Sequence, residues 1–176
     1  LPANTTTAYN LTVDLAQGNS HNISIDSGAS AASAAAAMNA VLQNTGIRAE
    51  PETRVEFFDF QNNGVVTFDL EATNRLPVQI SADVTPANLA NLALAINKVT
   101  ADTGVSAVTS PDNSRIILVS DAGEDIAISN LSNTSPAFFG RMVDDDGVAL
   151  STPVGTVSAS GNFKDILQST NVVSDA

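Results

Sequence analysis

Four short segments of this chain occur twice, and they recur in the same order. Leu11-Thr-Val-Asp-Leu15 returns as Val66-Thr-Phe-Asp-Leu70, and Ile23-Ser-Ile25 returns as Val78-Gln-Ile80. Met38-Asn-Ala-Val41 returns as Ile96-Asn-Lys-Val99, and Asn44-Thr-Gly-Ile47 as Asp102-Thr-Gly-Val105. The spacing between partners drifts by a few residues, as small insertions in loops would make it do. An ordered set of matches is the mark of a duplicated structural unit, and it constrains this chain more than any single motif.

Each copy reads alike. Leu11, Val13 and Leu15 alternate with polar residues, the period of a half-buried strand. Gln17-Gly18-Asn19 supplies turn chemistry, and the alternation resumes over His21 to Ile25, which predicts a hairpin. From Ser30 an alanine-rich stretch places Ala31, Ala34, Ala35, Met38, Val41 and Leu42 on one helical face, with Gly46 as a left-handed stop. In the second copy Thr85 is the expected N-cap, with Pro86 at the first helical position. Leu89, Leu92, Ala93, Ile96 and Val99 form its apolar stripe, and Gly104 ends it. Two strands are expected to close each unit. They lie near Ile47 to Ala49 and Arg54 to Phe60 in the first copy, and near Val105 to Thr109 and Arg115 to Ser120 in the second. Pro111-Asp-Asn113 forms the turn between the latter pair, and Ile126 and Ile128 suggest one further strand.

The expected fold class is therefore α+β, with two tandem ββαββ units, each an antiparallel sheet covered by one helix. The first is assigned to residues 1–61 and the second to 62–135, followed by a β-rich C-terminal return segment over 136–176. One helix over the apolar face of a four-stranded sheet makes a complete small core, so both stripes are expected to face sheets. In the return segment, Val148 to Ala159 alternates loosely, and Phe163 to Leu167 is read as the opening of a helix.

With 176 residues, 43% of them hydrophobic, the chain can bury a core without disulfides, and it has no cysteine to make one. The same absence removes thiolate nucleophiles and cysteine-held zinc or iron–sulfur clusters. A formal net charge of −12, with no basic cluster, argues against nucleic acid and against anionic membrane surfaces as partners. No apolar run approaches the ~18 residues of a membrane span. The start, Leu1-Pro-Ala-Asn4, has no signal-peptide character, and the lack of an initial Met is read as the mark of a fragment.

Residues that could carry chemistry are few. His21 is the only histidine, and no nucleophile-elbow spacing accompanies it. Asp144-Asp145-Asp146-Gly147 has the residue types of a calcium loop. Val148, Ala149 and Leu150 then offer no side-chain oxygen where further ligands belong, so a solvated acidic turn is the expectation. Glu50, Glu52 and Glu56 lie close together in sequence, but acid–base work needs a pocket as well. Asn4, Asn10, Asn22, Asn130 and Asn133 each open an N-x-S/T sequon. The glycines stand singly at turns, so no phosphate-cradling loop is expected. No catalytic residue, metal ligand or cofactor-binding residue is assigned, and no cofactor is expected.

The segment Asn88-Leu-Ala-Asn-Leu-Ala-Leu-Ala-Ile-Asn97, followed by Thr103-Gly-Val105 and a strand pair, resembles the flagellin hook IN motif. Ala34 to Ile47 looks like a more degenerate second copy, and the two together cover about two-thirds of the chain. Gly161-Asn-Phe-Lys-Asp-Ile-Leu-Gln-Ser-Thr170 is similar to the point where a flagellin chain re-enters its helical stem. The long heptad-patterned segments through which flagellins polymerise are not in this sequence. The resemblance thus implies the variable, surface-exposed middle region of a flagellin: structural, non-enzymatic and extracellular, with other flagellin subunits as partners.

Two other readings compete. One is a domain of a hook-associated or cap protein. The other is an adhesin or phage-tail module, which would be expected to expose more aromatic rings than the single Tyr9 of a chain without Trp. A domain inserted into a flagellin stem should return its chain near Leu1 and near Gln168 to the same end of the molecule.

Overall fold

The computed structural model describes residues 6–15, 18–74, 76–133, 138–144, 146–149, 156–157, 165–167 and 172–175. The fold is α+β. The first copy runs β1 (Tyr9–Asp14), β2 (Ser20–Ile25), α1 (Ala31–Val41), β3 (Arg48–Pro51). β4 (Thr53–Phe58) follows. The second copy runs β5 (Gly64–Glu71), β6 (Val78–Val84), α2 (Ala90–Asn97), α3 (Thr100–Thr103), β7 (Ser106–Thr109), β8 (Ile116–Ser120). After it come β9 (Ile126–Asn133), β10 (Phe138–Met142), β11 (Thr156–Val157), β12 (Asp165–Leu167) and β13 (Val172–Asp175). Both predicted hairpins form, β1 with β2 and β5 with β6, antiparallel. In each copy the helix packs across two strands of different sheets: α1 on β2 and β3, α2 on β6 and β7.

The strand expected to close the first unit does not close it. β4 lies antiparallel to β8 of the second copy and to β10, inside the five-stranded sheet β11-β10-β4-β8-β7. The place beside β3 is taken by β13, from the far end of the chain. β13 pairs Val172 with Pro51 and Asp175 with Arg48. β8 pairs Ile116 with Thr109 and Val119 with Ser106. With Thr45-Gly46 laid on Thr103-Gly104, these two registers coincide residue for residue, so β13 is the counterpart of β8. The physical reason lies in the side chains of β4. Val55 and Phe57 are fully buried and belong to the large core with Phe68, Leu92, Ile116 and Phe138. The first copy's own core is small and alanine-rich: Ile23, Ile25, Ala34, Ala35, Met38, Leu42 and Ala49. Burying aromatic area against the larger core is worth more than completing the smaller one. Phe138 fixes the arrangement, stacked on Phe60 at 4.5 Å between centroids and tilted against Phe57 at 5.0 Å.

Gly123, in the turn between β8 and β9, joins the two copies. Its carbonyl accepts the free amide of Ala32 in the first turn of α1, at 2.9 Å. Its φ is +67°, and a Cβ there would lie 2.3 Å from Cβ of Pro51 and 2.9 Å from the Ala32 nitrogen, so only glycine fits.

Other details depart from expectation. Thr85 to Asn88 closes a β-turn, with the Asn88 amide donating to the Thr85 carbonyl at 3.0 Å, and Pro86 sits inside it. The helix starts later, at Ala90, because a rigid Pro suits the second position of a turn as well as the first of a helix. Asn88 Oδ1 accepts the Ala90 amide at 3.0 Å. Ser30 caps α1 through the Ser33 amide, and Val41 lies 40% exposed rather than on the buried face. Residues 165–167 form a strand against β9 where a helix opening was expected over Phe163 to Leu167. The expectation about the ends near Leu1 and Gln168 falls outside the described residues.

Leu92, fully buried on α2, tests the shared core. Leu92→Asp should cost at least ~3 kcal/mol, since its charge must be buried or neutralised. Calorimetry should show the two copies melting in one lowered transition, because β4 and β8 tie them together; two separate transitions would contradict the pairing.

Candidate functional site: a clamp made twice

The residues that recur in both copies make the same contacts in both. The Asn39 side chain donates to the Ala49 carbonyl at 2.8 Å and accepts the Ala49 amide at 2.8 Å. Asn97 does the same with Ala107, at 2.9 and 2.8 Å. A carboxamide carries one donor and one acceptor side by side, so it satisfies both backbone groups of one strand residue, as a neighbouring strand would. Each clamp fastens the end of a helix to the first residues of the strand after it. Below it, the hydroxyl of Thr45 accepts the Ile47 amide at 3.2 Å, and that of Thr103 accepts the Val105 amide at 3.2 Å. Gly46 at φ +80° and Gly104 at φ +72° provide the left-handed turn between helix and strand.

A second constellation holds the seam between β4, β8 and β10. Glu56 is 2% exposed. Arg141 donates to its Oε2 from Nε at 2.6 Å, with Nη2 at 2.5 Å, and Arg115 Nη1 reaches Oε1 at 3.3 Å. The Arg141 guanidinium also lies over the Phe58 ring, 4.5 Å from its centroid. Two arginines on one carboxylate satisfy a charge that would be costly to bury alone.

The other sequence candidates fall apart in space or into local structure. Glu50 faces Arg48 at 3.6 Å and Glu52 faces Arg54 at 2.7 Å, so the three glutamates are each engaged with arginine. His21 is half-buried in β2 opposite Val13. The Asp144 carboxylate accepts the Val148 amide at 2.7 Å, closing a turn with Gly147 at φ +76°. Asp145 lies outside the described residues. Among the described residues, no group of three or more His, Cys, Asp or Glu could hold a metal ion. Of the sequon asparagines, Asn10 and Asn22 accept cross-strand bonds from Ser24 and Thr12, and Asn130 donates to Asp69. Asn4 lies outside the described residues. A depression of about 250 Å³ beside the start of α1, lined by Ser24, Asp26, Ser27 and Ser33 among others, contains one carboxylate and no base. The clamps and the ion triad went unnoticed in the sequence. The clamps had a signal: Asn39 and Asn97 stand at the same place in matched segments.

The family model of the flagellin hook IN motif matches residues 10–51 and 60–122, more than half of the chain. The chain belongs to the flagellin hook IN motif family. The two matched ranges are the two copies seen in the fold, and β4 falls between them. Each range contains one clamp. No curated protein matches the chain. Among solved structures, the chain is similar to the flagellar cap protein FliD from Helicobacter pylori. That match has 9% identity and a TM-score of 0.32, over 71% of this chain and 48% of the other, so the chain spans about half of that protein's length. No helix among the described residues is long and apolar enough to cross a membrane.

Two outcomes test this geometry. Asn97→Ala leaves the Ala107 amide and carbonyl without the side chain and should cost about 2 kcal/mol. Asn97→Asp keeps the acceptor but loses the donor, and urea melts should place it between wild type and Asn97→Ala. The second outcome concerns Asp112, in the turn before β8. Hydrogen bonds from the Ser110 hydroxyl, the Ser114 hydroxyl and the Ser114 amide hold its pKa down at about 2, from 3.8. A lowered folded pKa stabilises the turn above pH 3.8, and the effect is lost as pH falls through about 2. The Asp112 carboxyl resonance should titrate with that midpoint; a midpoint near 4 would show that the turn is open.

Proposed function

We propose that this flagellar structural module is the surface-exposed outer domain of a bacterial flagellin. It decorates the filament outside the cell, beside copies of itself on neighbouring subunits, and it catalyses nothing. The observation that carries this reading is the doubled hook IN motif whose apolar stripes are spent inside the fold. Leu89, Leu92 and Ile96 are fully buried against the second copy's sheets, so the motif's helix is core and not a docking face. What remains outside is an acidic surface suited to solvent, in a chain of net charge −12. Neither nucleic acid nor a membrane is a partner that this charge favours.

Antibodies raised against the purified chain test the assignment on intact flagella of the source bacterium. Immunogold label along the whole filament is the expected result. Label confined to the tip or to the hook junction would transfer the domain to a cap or hook-associated protein. A flagellum without label would refute the flagellar location itself.

A further inference from the structure

In the second copy the chain does not stop at β8. It turns at Gly123 and returns as β9, antiparallel to β5 on the edge away from β6. Ile126, Ile128 and Leu131 of β9 are at most 5% exposed, within the large core. Beside them Val66, Phe68 and Leu70 of β5 are at most 2% exposed. Among the described residues the first copy holds a counterpart of each of these strands but β9. β1 stands for β5, because Leu11-Thr-Val-Asp-Leu15 aligns with Val66-Thr-Phe-Asp-Leu70. The pairing gives the same alignment: Tyr9 faces Ile25 and Gly64 faces Val84, and Ile25 and Val84 each stand six residues before the next helix starts. β13 stands for β8, with Asp175 on Arg48 as Val119 is on Ser106. β1 has β2 on one edge and, among the described residues, no strand on the other. Leu11, Val13 and Leu15 are half-buried there. A two-stranded sheet is marginal alone and gains from a third strand.

We propose that the open edge of β1 seats the chain that follows β13 in the full-length protein, as β5 seats β9. Val119 stands seven residues before the start of β9 and nine before Ile128, the partner of Leu70. The continuation therefore turns after Asp175, starts its strand about seven residues on, and sets its ninth residue opposite Leu15. It runs antiparallel to β1. It carries aliphatic side chains at its seventh and ninth positions, where Ile126 and Ile128 stand in β9. With that strand in place, Leu11, Val13 and Leu15 gain the cover that Val66, Phe68 and Leu70 already have. The edge is open to such a neighbour, since β1 has no Pro, no Lys and one charge, Asp14. The inference comes from the internal comparison and does not rest on the filament reading, so either can fail without the other.

Amide hydrogen exchange on two chains tests it. One is residues 1–176; the other is carried on by its next twenty or so natural residues, roughly a turn and a strand. β1 amides bonded to β2 should be protected in both. Those pointing away from β2 should exchange freely in the shorter chain and at least about a hundredfold more slowly in the longer one. The described chain has no cysteine of its own, so cross-links report the register. In the longer chain, Leu15→Cys should form a disulfide with a cysteine placed nine residues after Asp175, or Asp14→Cys with one placed ten after it. Neighbouring cross-strand pairs alternate in spacing, so one of the two suits the bond. Val108→Cys on β7 should pair with neither. Outward β1 amides already protected in a monomeric 1–176 chain overturn the proposal, because the edge is then covered from within those residues. Protection that appears in that chain only as it dimerises, followed by sedimentation, gives the edge to a second copy and overturns it as well. So does a longer chain in which the outward amides still exchange freely, and so does a reading frame that closes at Ala176.

Discussion

The backbone hydrogen bonds of β4 go to β8 across sixty-odd residues of sequence, and not to β3 beside it. Everything larger than one copy follows from that ladder. It carries Val55 and Phe57 into the second copy's core, and it brings β10 alongside, so that Phe138 packs on Phe57 and Phe60. It also sets Glu56 where arginines from β8's approach and from β10 can meet it. With β4 engaged, β3 has an open side, and β13 fills it in the register that β8 uses in the second copy. A backbone group must be paired when it is buried, and here the choice of partner decides the topology.

The clamp explains how two copies with different side chains keep one geometry. α1 buries Ala31, Ala34, Ala35 and Met38, and α2 buries Leu92, Ala93 and Ile96, so their packing cannot be the same. What matches is the connection after each helix: an asparagine that bonds both groups of one strand residue, then threonine and a left-handed glycine. These contacts are polar and local. They fix the path from helix to strand whatever the core contains.

The duplication, both hairpins, both helices and the α+β class were legible in the sequence, because period-two and period-3.6 patterns report local structure. Leu89, Leu92, Ala93 and Ile96 were placed on the buried face and are buried there. Pairing was less legible. Arg54 to Phe60 reads as a strand, but nothing in its alternation says whether β3 or β8 is its neighbour. That depends on which core has room for Phe57. Thr85-Pro86 reads as a helix start but forms a turn, because proline serves both equally. Val41 was placed on the buried face because it is apolar, yet it lies at the edge of the stripe, half in water. The glutamate cluster was a cluster in sequence only. Glu50 lies on β3 and Glu56 on β4, strands of different sheets, and the three glutamates engage different arginines.

The seating of β13 beside β3 makes the second copy a parenthesis inside the first. A ribosome delivers β1, β2, α1 and β3 before the second copy, but the strand that completes them comes after it. The first unit is therefore held open until the whole of the second has been synthesised, and its closing contact is among the most distant in the chain. Any chain released before Val172 would carry β3 with a bare edge, which is a template for wrong pairings. The same nesting makes the gap between β3 and β13 a natural port. A self-contained unit can occupy it without breaking the host, provided its two ends come back to neighbouring strands.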